Sequence, residues 1–328
     1  MSLPDIKYCP GTLKEGHSTY SNTAFKRIFN GRKVSHILPY DSPASNEATD
    51  ERFLDNKKRI SISGVQEKLS VILDKNKLRL LKEGEQGGYI LKPIPIVGKN
   101  ADQMPANEHL SMQIARQVFG METAENALIF FKNGDAAYIT KRFDVKPDGS
   151  KLAQEDFASL AGRTPQTHGE DYKYQGSYFE LFELLRKYSP AYSIESVKLF
   201  KLIMFNYLIS NGDAHFKNFS LIETPLGDFR LSPAYDLLNS RIHIEDTDFA
   251  LQDGLITGNK SQGKIRIQFY NLGKETGISD SQIGKVFTSL TSNKEKVESL
   301  IEASYLNDKI KRNYTQAYQS RLNKLLKS

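Results

Sequence analysis

The feature that most constrains the fold is a change of hydrophobic period partway along the chain. Between Lys68 and Thr140 the apolar residues come in short strand-like runs: Lys68–Leu73, Leu78–Leu81, Tyr89–Lys92, Leu128–Phe131 and Ala137–Thr140. Charged or glycine-bearing turns separate them. One helix interrupts the series, opened by Asn107, carrying Leu110, Ile114, Ala115, Val118 and Phe119 on one face, and closed by Gly120. Beyond the turn-rich segment Asp144-Val145-Lys146-Pro147-Asp148-Gly149 the period becomes helical. A short helix is expected over Gln154–Ala161. Ser177-x-x-Glu180 reads as a capping box, and Ser193 opens a long helix with Val197, Phe200, Met204, Tyr207 and Leu208 on one face. Further helices are expected at 279–291, at 294–305 and, with a basic character, from about 307. The pattern predicts an α+β fold of two lobes, a small β-rich N-lobe (59–145) and a mostly helical C-lobe (146–328). Residues 1–58 form an N-terminal extension of turn and loop chemistry, with a short helix at Thr23–Phe29.

Composition narrows the class. The chain has 328 residues, enough for a large bilobal unit, and a single cysteine, Cys9, which excludes a disulfide framework and a multi-cysteine zinc site. No run of about 18 apolar residues is present, so neither a membrane span nor a signal segment is expected. A cytoplasmic location follows as an expectation. The net charge is +6. Lys309, Lys311, Arg312, Arg321, Lys324 and Lys327 crowd the C-terminus, as a solvated helix face or as a surface for nucleic acid or an acidic partner.

The chemistry concentrates in Asn211-Gly212-Asp213-Ala214-His215-Phe216-Lys217-Asn218 and in Tyr235-Asp236. Asp-x-x-x-x-Asn is the spacing of a kinase catalytic loop, where the Asp accepts a hydroxyl proton and the Asn holds magnesium. Phe219–Ile222 and Phe229–Leu231 read as a hairpin that returns Asp236 to the same metal. Lys217 is placed to stabilise charge on the transferring phosphoryl group. His215 orients the loop or is merely structural. Asp213 and His215 as hydrolase metal ligands are a further possibility, without the His/Asp cluster such sites need. Upstream, Ser61-Ile62-Ser63-Gly64-Val65-Gln66-Glu67-Lys68 reads as a tight turn joining two strand-like pieces. The backbone of Ser63, Gly64, Val65 and Gln66 can cradle phosphates there, or the segment is an ordinary β-turn. Lys92 ends an apolar strand, as the nucleotide lysine of kinases does, and Glu108 is spaced to pair with it.

In order, Ser-Ile-Ser-Gly-Val-Gln-Glu-Lys, Ile-Leu-Lys-Pro, Asn-Glu-His, Lys-Arg-Phe-Asp, Gln-Glu-Asp-Phe, Asn-Gly-Asp-Ala-His-Phe-Lys-Asn-Phe-Ser and Ala-Tyr-Asp-Leu resemble the HipA family of bacterial serine/threonine kinase toxins over about residues 59–255. The short stretch before the Ser/Gly turn and its paired serines look like HipT, the short kinase of three-component HipBST systems. The resemblance implies a protein-kinase-like fold and dependence on ATP and Mg2+. It implies Asp213 as base, Asn218 and Asp236 as metal ligands, Lys92 on ATP, and adenine at the backbone near Lys141 and Phe143. It further implies autophosphorylation at Ser61 and Ser63, HipS-like and HipB-like antitoxins as partners, DNA only through the antitoxin, and an aminoacyl-tRNA synthetase as substrate. A small-molecule kinase and a non-catalytic subunit of a transcriptional repressor complex are the competing expectations.

Overall fold

The computed structural model describes residues 5–43, 67–96, 98–245, 247–258 and 262–327. The chain divides into two compact units. The first comprises residues 1–113, 124–150 and 299–311; the second comprises 114–123, 151–298 and 312–328.

The first unit is built on a five-stranded antiparallel sheet in the order β2-β1-β3-β5-β4, formed by β1 (Leu69–Asp74), β2 (Lys77–Leu80), β3 (Tyr89–Pro93), β4 (Asn126–Phe130) and β5 (Ala136–Lys141). Because side chains alternate along a strand, the odd-numbered residues Leu69, Val71, Tyr89, Leu91, Ala127, Ile129, Ala137 and Ile139 share one buried face. Residues 5–43 cover it. They form no strand, but α1 (Asn22–Phe29) and its flanking turns contribute Cys9, Tyr20, Ala24, Ile28, Phe29, Val34 and Leu38 to the same core. The Ser21 hydroxyl accepts from Ala24 N–H and starts the helix; Asn30, at φ 55°, ends it. Tyr20 Oη donates to the Leu128 carbonyl at 2.6 Å, and Tyr89 Oη donates to that of Ile28 at 2.9 Å. Cys9 is fully buried, its sulfur accepting from the N–H groups of Ser21 (3.1 Å) and Gly11 (3.4 Å).

The even-numbered face of the sheet meets α2 (Met104–Gln113). This helix begins before the expected Asn107: Asn100 adopts a left-handed conformation, a 3-10 turn spans Ala101–Gln103, and Pro105 stands in the first turn of α2. Every residue from Pro105 to Gln113 is buried. No apolar stripe therefore marks where it starts. A π-turn, Ile114–Val118, follows, and Gly120 ends it at φ +61°.

The second unit opens with a correction. Gln154–Asp156 is not helical but a strand, β6, paired with a later hairpin through Asp156 and Ser220. Asp156 is the N-cap of a single turn, α3 (Phe157–Leu160), its carboxylate accepting from Ser159 N–H at 2.9 Å. A capping Asp requires extended backbone, so the helix starts only after it. There follow along the chain α4 (Pro165–His168), α5 (Tyr178–Tyr188), α6 (Tyr192–Leu208), the hairpin β7 (Ser220–Glu223) and β8 (Phe229–Leu231), α7 (Ile265–Glu275), α8 (Asp280–Thr291), α9 (Lys294–Glu302) and α10 (Asp308–Leu326), of which α9 and α10 each carry residues of both units. The Glu180 carboxylate accepts from Ser177 N–H at 2.8 Å and holds the start of α5. Helix α6 is the hub: it packs on α5, α8 and β8, and Phe200 and Tyr207 meet Phe249 and Phe269 edge-on or tilted. Its buried Glu195 accepts from Leu231 N–H at 3.0 Å, fixing the hairpin to the helix. Among the described residues no helix is long and apolar enough to cross a membrane.

Candidate active site

In the first unit, strand alternation that sends Leu91 into the core sends Lys92 to the opposite face, beside its cross-strand partner Tyr138. There Lys92 Nζ lies 2.7 Å from Glu108 Oε1 and 5.4 Å from the centre of the Tyr138 ring. The lysine and glutamate are 4% and 2% exposed. Desolvating two charges is costly, so such a pair persists only when the geometry is good and further polar contacts complete it. Lys141 ends β5 with its side chain on Asn30 Oδ1 (2.7 Å), and its N–H donates to the Glu125 carbonyl. Arg142 N–H donates to Gly88 O, so the sheet consumes both donors just before Phe143. Ser61, Ser63, Gly64, Val65 and Gln66 lie outside the described residues.

In the second unit, α6 ends at Leu208 and Ser210 turns the chain at φ 58°, delivering Asn211–Asn218 as a loop. Six of the eight loop residues are held by the contacts that follow. Asn211 Nδ2 donates to Asn206 Oδ1 at 2.7 Å and reaches the Asp236 carbonyl at 3.4 Å. Gly212 N–H donates to Ser240 Oγ at 2.7 Å, and a Cβ at Gly212 would stand 3.3 Å from the Thr247 carbonyl. Tyr178 Oη donates to Ala214 O at 2.7 Å, and Tyr235 Oη to Lys217 O at 3.0 Å. The Asn218 side chain accepts from His215 N–H at 3.0 Å, closing the Phe216–Asn218 turn.

The loop thus brings Asp213, His215, Lys217 and Asn218 together, and the hairpin returns the chain so that the Asp236 backbone meets Asn211. Asp236 sits at φ 54°, a left-handed conformation that Asp tolerates better than most non-glycine residues. His215 is buried, and burial lowers its pKa to about 4 against the opposing fields of Asp213 and Asp236. It is a neutral imidazole at pH 7, and its ring stands edge-on to Tyr174 at 5.1 Å.

Two contacts carry no signal in the sequence. Tyr174 Oη donates to Asp213 Oδ1 at 2.6 Å. Burial first, then the Asp213 carboxylate, keep that phenol protonated well above its ordinary range. Asp156 Oδ2 lies 3.6 Å from Lys217 Nζ. Only pairing of β6 with β7 makes the second contact possible. The Gln-Glu-Asp-Phe run contains Asp156, but its helical reading hid the residue's placement.

Among the described residues no group of three or more His, Cys, Asp and Glu side chains gathers to hold a metal ion. The Asn218 amide oxygen accepts from His215 N–H, and an amide oxygen and a carboxylate such as that of Asp236 are donor types that suit Mg2+, which binds one or two protein oxygens and takes its remaining ligands from phosphates and water.

The profile of the HipA-like C-terminal domain family matches residues 60–301. A Haemophilus influenzae protein named "Putative kinase" is 26% identical over 93% of this chain and 92% of its own length. The serine/threonine-protein kinase toxin HipA of Shewanella oneidensis is 26% identical over 56% of this chain, which spans only 44% of that protein. Among solved structures, S. oneidensis HipA in complex with HipB and operator DNA superposes with a TM-score of 0.61 at 20% identity, covering 80% of this chain and 63% of that one. The proinflammatory kinase CtkA of Helicobacter pylori superposes with a TM-score of 0.52 at 12% identity, covering 77% and 92%. The expected α+β kinase-like fold is therefore the fold observed.

Proposed function

The chain belongs to the HipA-like C-terminal domain family, and from that premise we propose that it is an ATP- and Mg2+-dependent serine/threonine protein kinase acting as the toxin of a toxin–antitoxin system. The observation that carries this reading is the Asp213–Asn218 loop, with Asp236 tied back to it through Asn211. Phosphoryl transfer asks a protein for alignment, a base and charge stabilisation, and little else.

The roles follow from the contacts. Asp213 accepts the proton of the substrate hydroxyl. Lys217, steadied by Asp156, offers its charge to the transferring group. Neutral His215 shapes the loop and takes no part in proton transfer. Asn218 and Asp236 are the oxygen donors for Mg2+, which when bound neutralises charge on the nucleotide phosphates. Lys92, oriented by Glu108, is the cation for those phosphates. The backbone of Ser63–Gln66 would complete the phosphate cradle and that near Lys141 and Phe143 would meet the adenine. Because the Lys141 and Arg142 donors are spent in the sheet, the adenine contact falls to carbonyl groups and to Phe143.

Within the same proposal the chain is HipT-like and acts in the cytoplasm, with HipS-like and HipB-like antitoxins as partners and DNA reached only through them. Its substrate is an aminoacyl-tRNA synthetase, and Ser61 and Ser63 are autophosphorylation sites. The solved complex of the S. oneidensis relative with HipB and DNA supports the partner reading. Expression of the wild-type chain in a bacterium, set against Asp213→Asn with phosphoproteomics, tests the whole. The wild type is expected to slow growth and to place a new phosphoserine on one synthetase. Equal labelling by the two chains would sink the assignment.

A further inference from the structure

The proposed reaction requires an acceptor hydroxyl that donates its proton to Asp213. A hydroxyl of this chain already does so: Tyr174 Oη, 2.6 Å from Asp213 Oδ1. The phenol is not a passing visitor. Lys173 O accepts from Phe216 N–H of the catalytic loop at 3.1 Å, and Tyr174 O accepts from Gln252 N–H at 2.9 Å. Backbone on both sides of the ring is thereby stitched to the unit that carries the base. Lys173 Nζ stands 5.0 Å from the Tyr174 ring, a second cation beside Lys217 in this region. An acceptor oxygen held against its base, with ammonium groups nearby, is most of what positioning contributes to transfer.

We propose that Tyr174 is an intramolecular phosphoacceptor of this kinase. The γ-phosphoryl group of Mg-ATP passes to Tyr174 Oη, the bond between that phosphorus and the ADP oxygen breaks, and the phenolic proton goes to the Asp213 carboxylate. This rests on the reading of Asp213 as catalytic base. The product carries roughly two negative charges beside that carboxylate. Like-charge repulsion then drives the Tyr174 side chain off the base and leaves the acceptor position open to a protein serine.

The test is incubation of the full chain with Mg-ATP and casein as a generic acceptor, followed by phosphopeptide mass spectrometry. Phosphotyrosine is expected at Tyr174 in the wild type and in Tyr188→Phe, and is lost in Tyr174→Phe and Asp213→Asn. The fraction labelled per minute should not depend on chain concentration. Phosphate on serines of casein or of the chain, with Tyr174 unmodified, overturns this proposal and leaves the kinase standing. Labelling of Tyr174 that accelerates in proportion to chain concentration overturns transfer within one molecule. A folded wild-type chain that phosphorylates nothing overturns the kinase reading, and this inference with it.

Discussion

At the scale of single residues, burial sets the consequences. Lys92 and Glu108 are sealed against each other, so removing one strands the other charge in a dry interior. Lys92→Ala is expected to lower unfolding free energy by about 3–5 kcal/mol, read by urea denaturation. A Lys92→Met, Glu108→Leu double variant should recover much of that loss while staying inactive. At Asp213 the expectation is kinetic. Replacing it with Asn keeps the shape but removes the proton acceptor, so phosphate transfer should fall by roughly 10²- to 10⁴-fold with an unchanged circular dichroism spectrum. His109 gives a pH signature. It is buried, its Nε2 has no hydrogen-bond partner among the described residues, and burial lowers its pKa from 6.5 to about 3 despite the opposing hydrogen bond to the Gly11 backbone. Its folded pKa lies below its unfolded one, so at intermediate pH the unfolded chain binds the extra proton. Stability is intact above about pH 6.5 and declines as pH falls toward 3, by up to about 1.4 kcal/mol per unit. Urea titrations at pH 7.5 and 5 check this, and His109→Leu should flatten the difference. The polar residues of the loop were legible because Asp-x-x-x-x-Asn is a local spacing. Tyr174 was not, since 39 residues separate it from Asp213 and nothing nearby in the chain announces the contact.

At the scale of elements, legibility followed the clarity of the period. Strands β1, β3, β4 and β5 are short apolar runs bounded by turn residues, so the sequence located each within a few residues. The start of α2 was hidden because it is buried all round. Gln154–Ala161 misled because a capping Asp looks the same in sequence whether a strand or a helix precedes it. Helix α7 carries Arg266, Gln268, Asn271 and Gly273 among its apolar residues, which blurs the stripe, and it went unread. The most informative surprise is not α1, expected as a short helix at Thr23–Phe29, but that this helix and its flanking turns serve as one side of a core. Gly11 marks how closely they pack: a Cβ there would fall 2.7 Å from Ala24 Cβ and 3.0 Å from Ile28 Cδ1. Gly11→Ala is expected to destabilise the chain by about 1–3 kcal/mol, seen as a lower urea midpoint at constant slope.

At the scale of the whole molecule, the sequence divides at one point and the structure divides at several. A β-rich half followed by a helical half was readable from the change of period. The excursions of 114–123 and 299–311 were not, because membership of a compact unit is a property of contacts and leaves no mark on periodicity. The basic C-terminus makes the same point. Arg321 stood with its neighbours as a surface charge, yet it is 3% exposed. It pairs with Asp248, donates to Ser210 Oγ at 3.3 Å and to Thr247 O at 3.2 Å, and lies over the Tyr207 ring. Ser210 and Thr247 both border the Asn211–Gly212 turn. The part of the last helix that carries Arg321 therefore braces the Asn211–Asn218 loop within the second unit. Arg321→Ala should cost about 1–3 kcal/mol through the acceptors it leaves unmatched. It should also slow phosphate transfer more than Lys324→Ala, whose side chain is half exposed; thermal melts and initial rates on the two variants separate the effects.

The sealed Cys9 has a practical meaning. It is the chain's one thiol and none of its surface reaches solvent. The protein comes with a blank background for maleimide chemistry, with no need to engineer a native sulfhydryl away. A cysteine placed at the exposed Leu226 or Lys132 would then take a single dye with no native thiol competing for it.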